Sequence, residues 1–224
     1  MSETEMEYSP GYINLAVKRG VIRDILGLRK AKVVYWPANG VFYSDIRKVF
    51  KQTPEEDKAL VDYFSQWIVD DWTLMKKARV VAEKVNDLIA YRSDSQAWGK
   101  VEYWARAIET FQKRYDDCDG HAVLIVKVLR LLGARPWEVF VATGDVEHPD
   151  GRKGEGHAFA IVLDQRTLKY YPVEGSWYPK LAIRDMGRVA LDENGRYSTF
   201  WWMTNDVESY SNKNWIKFVK PLRK

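Results

Sequence analysis

The sequence predicts an α+β fold in which helices precede an antiparallel sheet, and three observations predict it. Apolar residues recur at helical spacing through much of the chain ahead of Gly133. After Gly133 the period becomes extended, giving strands at 137–143, 157–163 and 168–173. The tight turn Asp164-Gln165-Arg166-Thr167 makes the last two an antiparallel hairpin. Helices grouped ahead of strands characterise this class.

The elements follow in order. Over 13–28, Leu15, Ala16, Val21, Ile22, Ile25 and Leu26 keep rough helical spacing, broken at Gly20. The β-branched stretch 32–36 ends at Pro37, and the turn Ala38-Asn39-Gly40 joins it to 41–43 as a hairpin. Thr53-Pro54-Glu55-Glu56 is a helix start, with Thr as N-cap, Pro in the first position and acids in the first turn. That helix runs to about 69, with Leu60, Val61, Phe64, Trp67 and Ile68 on one face. Asp70-Asp71 would cap a second helix over 73–91, and a short helix over 103–111 leads to the turn at Asp116-Asp117.

The run 122–132 is apolar apart from Lys127 and Arg130, which share one narrow strip of a helix and leave the rest for the core. Gly133 reads as its stop. Cys118 thus falls at or near the first turn of a core helix, where unpaired N–H groups and the dipole favour a thiolate. Further on, 144–156 is a charged, Gly-rich loop of flap length, and 215–219 alternates as a final strand. The chain divides into a helical extension over 1–79, packed on the core, and a domain over 80–224 that carries the chemistry.

Composition narrows the function. With 46% hydrophobic and 29% charged residues, the 224-residue chain has the balance of a soluble globular protein. A net charge of +4, with no basic block or RNP-type motif, gives no argument for a nucleic-acid partner. One cysteine excludes an internal disulfide and a cysteine-rich zinc site. The acidic start Met1-Ser2-Glu3-Thr4-Glu5-Met6-Glu7 and the lack of a membrane-length apolar run lead to the expectation of a cytoplasmic protein without a membrane partner, or one packaged into a virion. Ten tryptophans and thirteen tyrosines imply a large aromatic core or a lined groove.

A cysteine nucleophile needs a base, and the base needs a group that orients it. His157 opens one hairpin strand and Glu174 ends the next; with the turn near Gln165, position 157 pairs with a residue near 173. Cysteine at a helix start, histidine on one strand and acid on the next form an ordered constellation. His121, one turn past Cys118, reads as a helix residue bonded to backbone or water, and His148 as a solvated loop residue. No metal set or cofactor is read: Cys118, His121 and the nearby aspartates lack ligand spacing, and a calcium loop would put Tyr115 and Val126 at its first and twelfth positions. Asp116, Asp117 and Asp119 read as acids favoured at a helix N-terminus, although they oppose ionisation of Cys118.

Cys118 on its helix, Gly156-His157-Ala158 on a strand and Tyr171-Pro172-Val173-Glu174 on the next resemble the transglutaminase-like superfamily of papain-type folds. The series Val85, Tyr91, Asp94, Trp98-Gly99, Tyr103-Trp104 and Asp117-Cys118-Asp119 is most similar to its bacterial and phage cysteine-peptidase-like branch. The resemblance spans roughly residues 80–178. It implies Cys118 as nucleophile, His157 as general base and acid, and Glu174 as orienting acid, where the superfamily usually has aspartate. The expected activity is hydrolysis of a peptide or isopeptide bond in a peptide or protein substrate through a thioacyl-enzyme. Acyl transfer, or a silent binding or structural module on the same scaffold, stand as alternatives. The backbone N–H of Cys118 would serve the oxyanion, helped by Trp104 or Gln112, with Asp117 beside it and Trp177 lining the cleft.

Overall fold

The structure, a computed structural model, describes residues 29–30, 34–35, 44–147, 155–176, 189–191, 193 and 195–211. The helix expected at 13–28, the strand at 215–219, His148, Trp177 and Tyr178 lie outside the described residues.

Two short strands, β1 (Arg29–Lys30) and β2 (Val34–Tyr35), come first; β2 pairs with β3 (Ser44–Asp45), one residue beyond the expected partner segment. Thr53 caps helix α1 (Pro54–Phe64) through a reciprocal box with Glu56, as its sequence dictates. The helix tightens into a 3-10 turn at Ser65–Trp67. The cap of α2 (Leu74–Leu88) is Thr73, not Asp70-Asp71: its hydroxyl accepts from the Lys76 N–H. The expected division at 79/80 falls within α2.

Strand β4 (Ala90–Tyr91) and the short α3 (Asp94–Ala97) follow. Helix α4 (Ala107–Lys113) begins four residues later than expected, with Arg106 at its N-cap. It ends at Arg114, which takes a left-handed φ of 65°. Strand β5 (Tyr115–Asp116) runs parallel to β4 and hands the chain to α5 (Cys118–Leu131). At the far end Gly133 adopts φ 94°, and the bonds Gly133 N–H to Arg130 O and Ala134 N–H to Leu129 O close a Schellman motif.

The remaining strands are β6 (Val139–Val146), β7 (Glu155–Asp164), β8 (Lys169–Val173), β9 (Tyr197–Thr204) and β10 (Ser209–Ser211). They join β1 in a six-stranded antiparallel sheet ordered β1-β10-β9-β6-β7-β8. Pairing of Val146 with Glu155 extends both strands into the predicted 144–156 loop. The sheet has two apolar faces. Val139, Val141, Ala158, Ala160, Val162 and Val173 share a core with α5 and α2; Phe140, Phe159, Ile161, Tyr170 and Met203 form a second cluster on the other face.

The polar strip of α5 fastens the helical layer. Buried Lys127 reaches Asp57 of α1 at 2.8 Å, and Arg130 reaches Asp206 at 2.7 Å. Asp57 also accepts from Gln52, whose carbonyl takes the Ile108 N–H at the start of α4. Removing one member of such a pair strands the other. Lys127→Ala is therefore expected to lower stability by about 1–3 kcal/mol, and Lys127→Met, which keeps the buried stem, by less. Urea unfolding followed by tryptophan fluorescence measures both; equal losses would count against the pair as the tie.

Candidate active site

Cys118 is placed by two short devices. The β4–β5 bridge, with Ala90 opposite Tyr115 and Tyr91 opposite Asp116, fixes the chain just before the helix. Asp117 then caps α5, its carboxylate accepting the Asp119 N–H at 3.2 Å. The thiol is half-buried, and the backbone N–H of Ala158, next to His157 on β7, points at it. Burial first, and then the Asp117 and Asp119 carboxylates, push the Cys118 thiol well above its ordinary range. The Ala158 N–H acts the other way and is outweighed.

His157 and Glu174 are both buried and bonded, Nε2 to Oε2 at 2.9 Å. Their register differs from the sequence expectation. Ala160 pairs with Val173 and Asp164 with Lys169, so the ladder is offset by three residues from one that sets 157 opposite 173. The turn between the strands spans four residues, with Leu168 at φ 54°, and this lengthens the loop. Glu174 lies one residue past β8, diagonal to His157, and a long side chain closes such a gap. Gly175 lets the chain cross α5 there, since a Cβ would meet Ile125 Cδ1 at 2.7 Å. The second Glu174 oxygen accepts the Tyr197 hydroxyl at 2.7 Å, a partner that sequence reasoning missed.

Around the first turn of α5 the fold gathers carboxylates that sequence spacing did not suggest. Asp94, Asp116 and Asp117 bring oxygen atoms within 4.8 Å of one another, as do Asp94, Glu102 and Asp119. They come from α3, the loop behind it and the start of α5, so no single motif encodes them. Asp116 is well supplied with donors: Trp98 Nε1 at 2.9 Å, Thr110 Oγ1 at 2.6 Å and its neighbour's N–H at 3.0 Å. Asp94 and Asp119 are each 3% exposed, yet the Oδ1 atom of each lacks a hydrogen-bond partner. Burial, and then the Glu102 and Asp116 charges, push Asp94 up to about 6 against the Tyr103 N–H, which favours the carboxylate. Burial and then the Asp94 and Asp116 charges push Asp117 up to about 7. Asp119 is pushed well above the carboxylate range by burial and the same neighbours. An all-oxygen set of this kind, with two orphaned buried acceptors, fits a hard divalent cation. Sequence spacing did not suggest this grouping, because the fold and not local spacing brings the carboxylates together.

The other expected residues fall as follows. Trp104 gives its indole N–H to Glu102 at 2.8 Å and rests against Trp202, so its donor is engaged away from an oxyanion. Gln112 is exposed on α4. His121 bonds the backbone carbonyls of Asp117 at 2.6 Å and Ile89 at 3.1 Å, which ties α5 to the end of α2. No helix among the described residues is long and apolar enough to cross a membrane.

No protein-family model matches the chain, and no curated relative matches it. Among solved structures it is similar to calcium-bound Legionella pneumophila LapG, at 12% identity and TM-score 0.48, covering 75% of this chain and 86% of that one. EGTA-treated LapG aligns at 12% identity and TM-score 0.46, over 75% and 84%. A candidate cysteine protease from Cytophaga hutchinsonii aligns at 12% identity and TM-score 0.43, over 79% of this chain and 57% of that one.

Two outcomes follow from the acid cluster. A carboxyl raised by folding holds a proton that the unfolded chain has released, so its stabilisation is full below the unfolded pKa and is lost as pH rises to the folded one. In a chelator the melting temperature is expected to fall between about pH 4 and about pH 7, the window of Asp94 and Asp117; a rise across it would contradict the cluster's charge state. Gly120 has no room for a side chain, because a Cβ would lie 2.1 Å from Asp116 Oδ2. Gly120→Ala is expected to cost about 1–3 kcal/mol in chemical unfolding, by driving that carboxylate off its donors.

Proposed function

We propose that this chain is a thiol hydrolase of the transglutaminase-like superfamily that cleaves amide bonds, peptide or isopeptide, in a peptide or protein substrate. The observation that carries the reading is the buried His157–Glu174 hydrogen bond, on a strand whose next residue, Ala158, turns its N–H to the cysteine at the start of α5. Since Nε2 is given to Glu174, Nδ1 is the ring nitrogen that exchanges a proton with Cys118. The thiol proton passes to Nδ1 as sulfur bonds the substrate carbonyl carbon. The resulting oxyanion faces the backbone N–H of Cys118 at the start of α5. Collapse breaks the C–N bond, and His157 returns the proton to the leaving amine. Water, deprotonated by His157, then cleaves the thioester and restores the thiol. An amine in place of water would make the same site an acyl transferase.

Asp94 with Glu102 and Asp119, or with Asp116 and Asp117, would hold a hard divalent cation, calcium being the size that suits several carboxylates at once. Bound there, it supplies the positive charge that offsets the acids pressing on the Cys118 thiol. A second reading, a silent binding scaffold, is favoured by that same upward push on the thiol.

Alkylation of Cys118 by iodoacetamide at about pH 7 separates the readings. A hydrolase is expected to react on the order of tenfold faster or more in calcium than in chelator, and His157→Ala to remove most of that gain. Slow modification that ignores both calcium and His157 would sink the catalytic reading and leave the scaffold.

A further inference from the structure

We infer that Tyr197 is a positioning residue whose hydroxyl locks the Glu174 carboxylate in the orientation that holds His157. This rests on the reading of His157 and Glu174 as base and orienting acid. Glu174 stands just past the end of β8, where no strand pairing fixes its backbone. Its side chain has one more rotatable bond than the aspartate usual at such a position, so a single hydrogen bond leaves it free to swing. Two donors set its plane instead. Oε2 meets His157 Nε2 at 2.9 Å, and Oε1 accepts the Tyr197 hydroxyl at 2.7 Å.

Tyr197 is itself held. It opens β9 opposite Val146, and its ring packs on Phe159 with centroids 4.5 Å apart. Phe159 in turn stacks on His157 at 5.9 Å and 21°. One apolar ring therefore supports both the imidazole and the phenol that meet at the carboxylate. Burial and the Glu174 charge push the Tyr197 phenol well above its ordinary range, which keeps it a donor at neutral pH. The hydroxyl acts through Glu174, as the orienting member of a triad fixes the histidine's tautomer and direction.

Tyr197→Phe keeps the ring on Phe159 and deletes the hydroxyl. Alkylation of Cys118 in the full chain at about pH 7, with calcium, is expected to slow about tenfold. The same substitution in a His157→Ala background is expected to leave the rate unchanged, because the effect travels through the imidazole. A parental rate in Tyr197→Phe, or an equal slowing with and without His157, overturns the inference. Indifference of the parental rate to His157→Ala instead defeats the hydrolase reading. Positioning is then judged by the NMR signal of the His157 Nε2–H proton, expected to shift in Tyr197→Phe; an unmoved signal overturns it. Should Tyr197→Phe fail to fold, 13C-tyrosine labelling of the parent and of Glu174→Gln gives the same decision. The Tyr197 Cζ resonance is expected to move when the carboxylate becomes an amide, and a fixed resonance overturns the hydrogen bond.

Discussion

Negative charge crowded against the first turn of a buried helix is the constraint on which the rest of this structure depends. A helix N-terminus welcomes one or two acids, because its free N–H groups and dipole offset them. Here Asp116, Asp117 and Asp119 crowd that turn, and Asp94 and Glu102 are brought in from outside. Much of the local architecture answers this load. Trp98, Thr110 and a backbone N–H serve Asp116, and Gly120 keeps the space its carboxylate needs. What these donors leave over falls on Asp94, Asp117, Asp119 and the thiol, each of which is pushed toward its protonated form.

That balance separates this site from the simplest picture of an activated cysteine. Dipole and histidine alone would lower the thiol. Burial first, and then the acids, push it the other way, so the thiol's charge state depends on how the carboxylates are neutralised. Protons or a cation can do this, and they compete for the same oxygens.

The parts legible in the sequence were those encoded locally. The Thr53 capping box, the apolar run of α5 with its Lys127 and Arg130 strip and the Gly133 stop each depend on near neighbours. The acid set was hidden because its members come from separate segments and meet only after folding. Strand β9 was hidden for a different reason. Two one-residue register shifts, between Thr143 and Gly144 and between Asp145 and Val146, interrupt its ladder with β6. Met203, Phe200 and Tyr197, spaced by three, therefore all pack into the cluster on one sheet face, and a strict alternation test misses them. The same shifts bring Tyr197 to Glu174, so the hydroxyl that bonds this carboxylate was lost together with its strand.

The β4–β5 bridge is small, but it divides the chemistry between two bodies. It registers the start of α5 to the end of α2, and His121 adds a second tie between them through Ile89. The sulfur thus belongs mechanically to the helical layer, whereas the imidazole, the carboxylate and the phenol all belong to the sheet. Between the two lies the apolar seam of α5 against β6 and β7, including Val126, Val128, Ala158 and Ala160. The thickness of that seam sets how far the start of α5 stands from the sheet. Side-chain volume in the core then becomes a variable of reactivity, and a methyl group added or removed far from the sulfur would act on it as a change of distance.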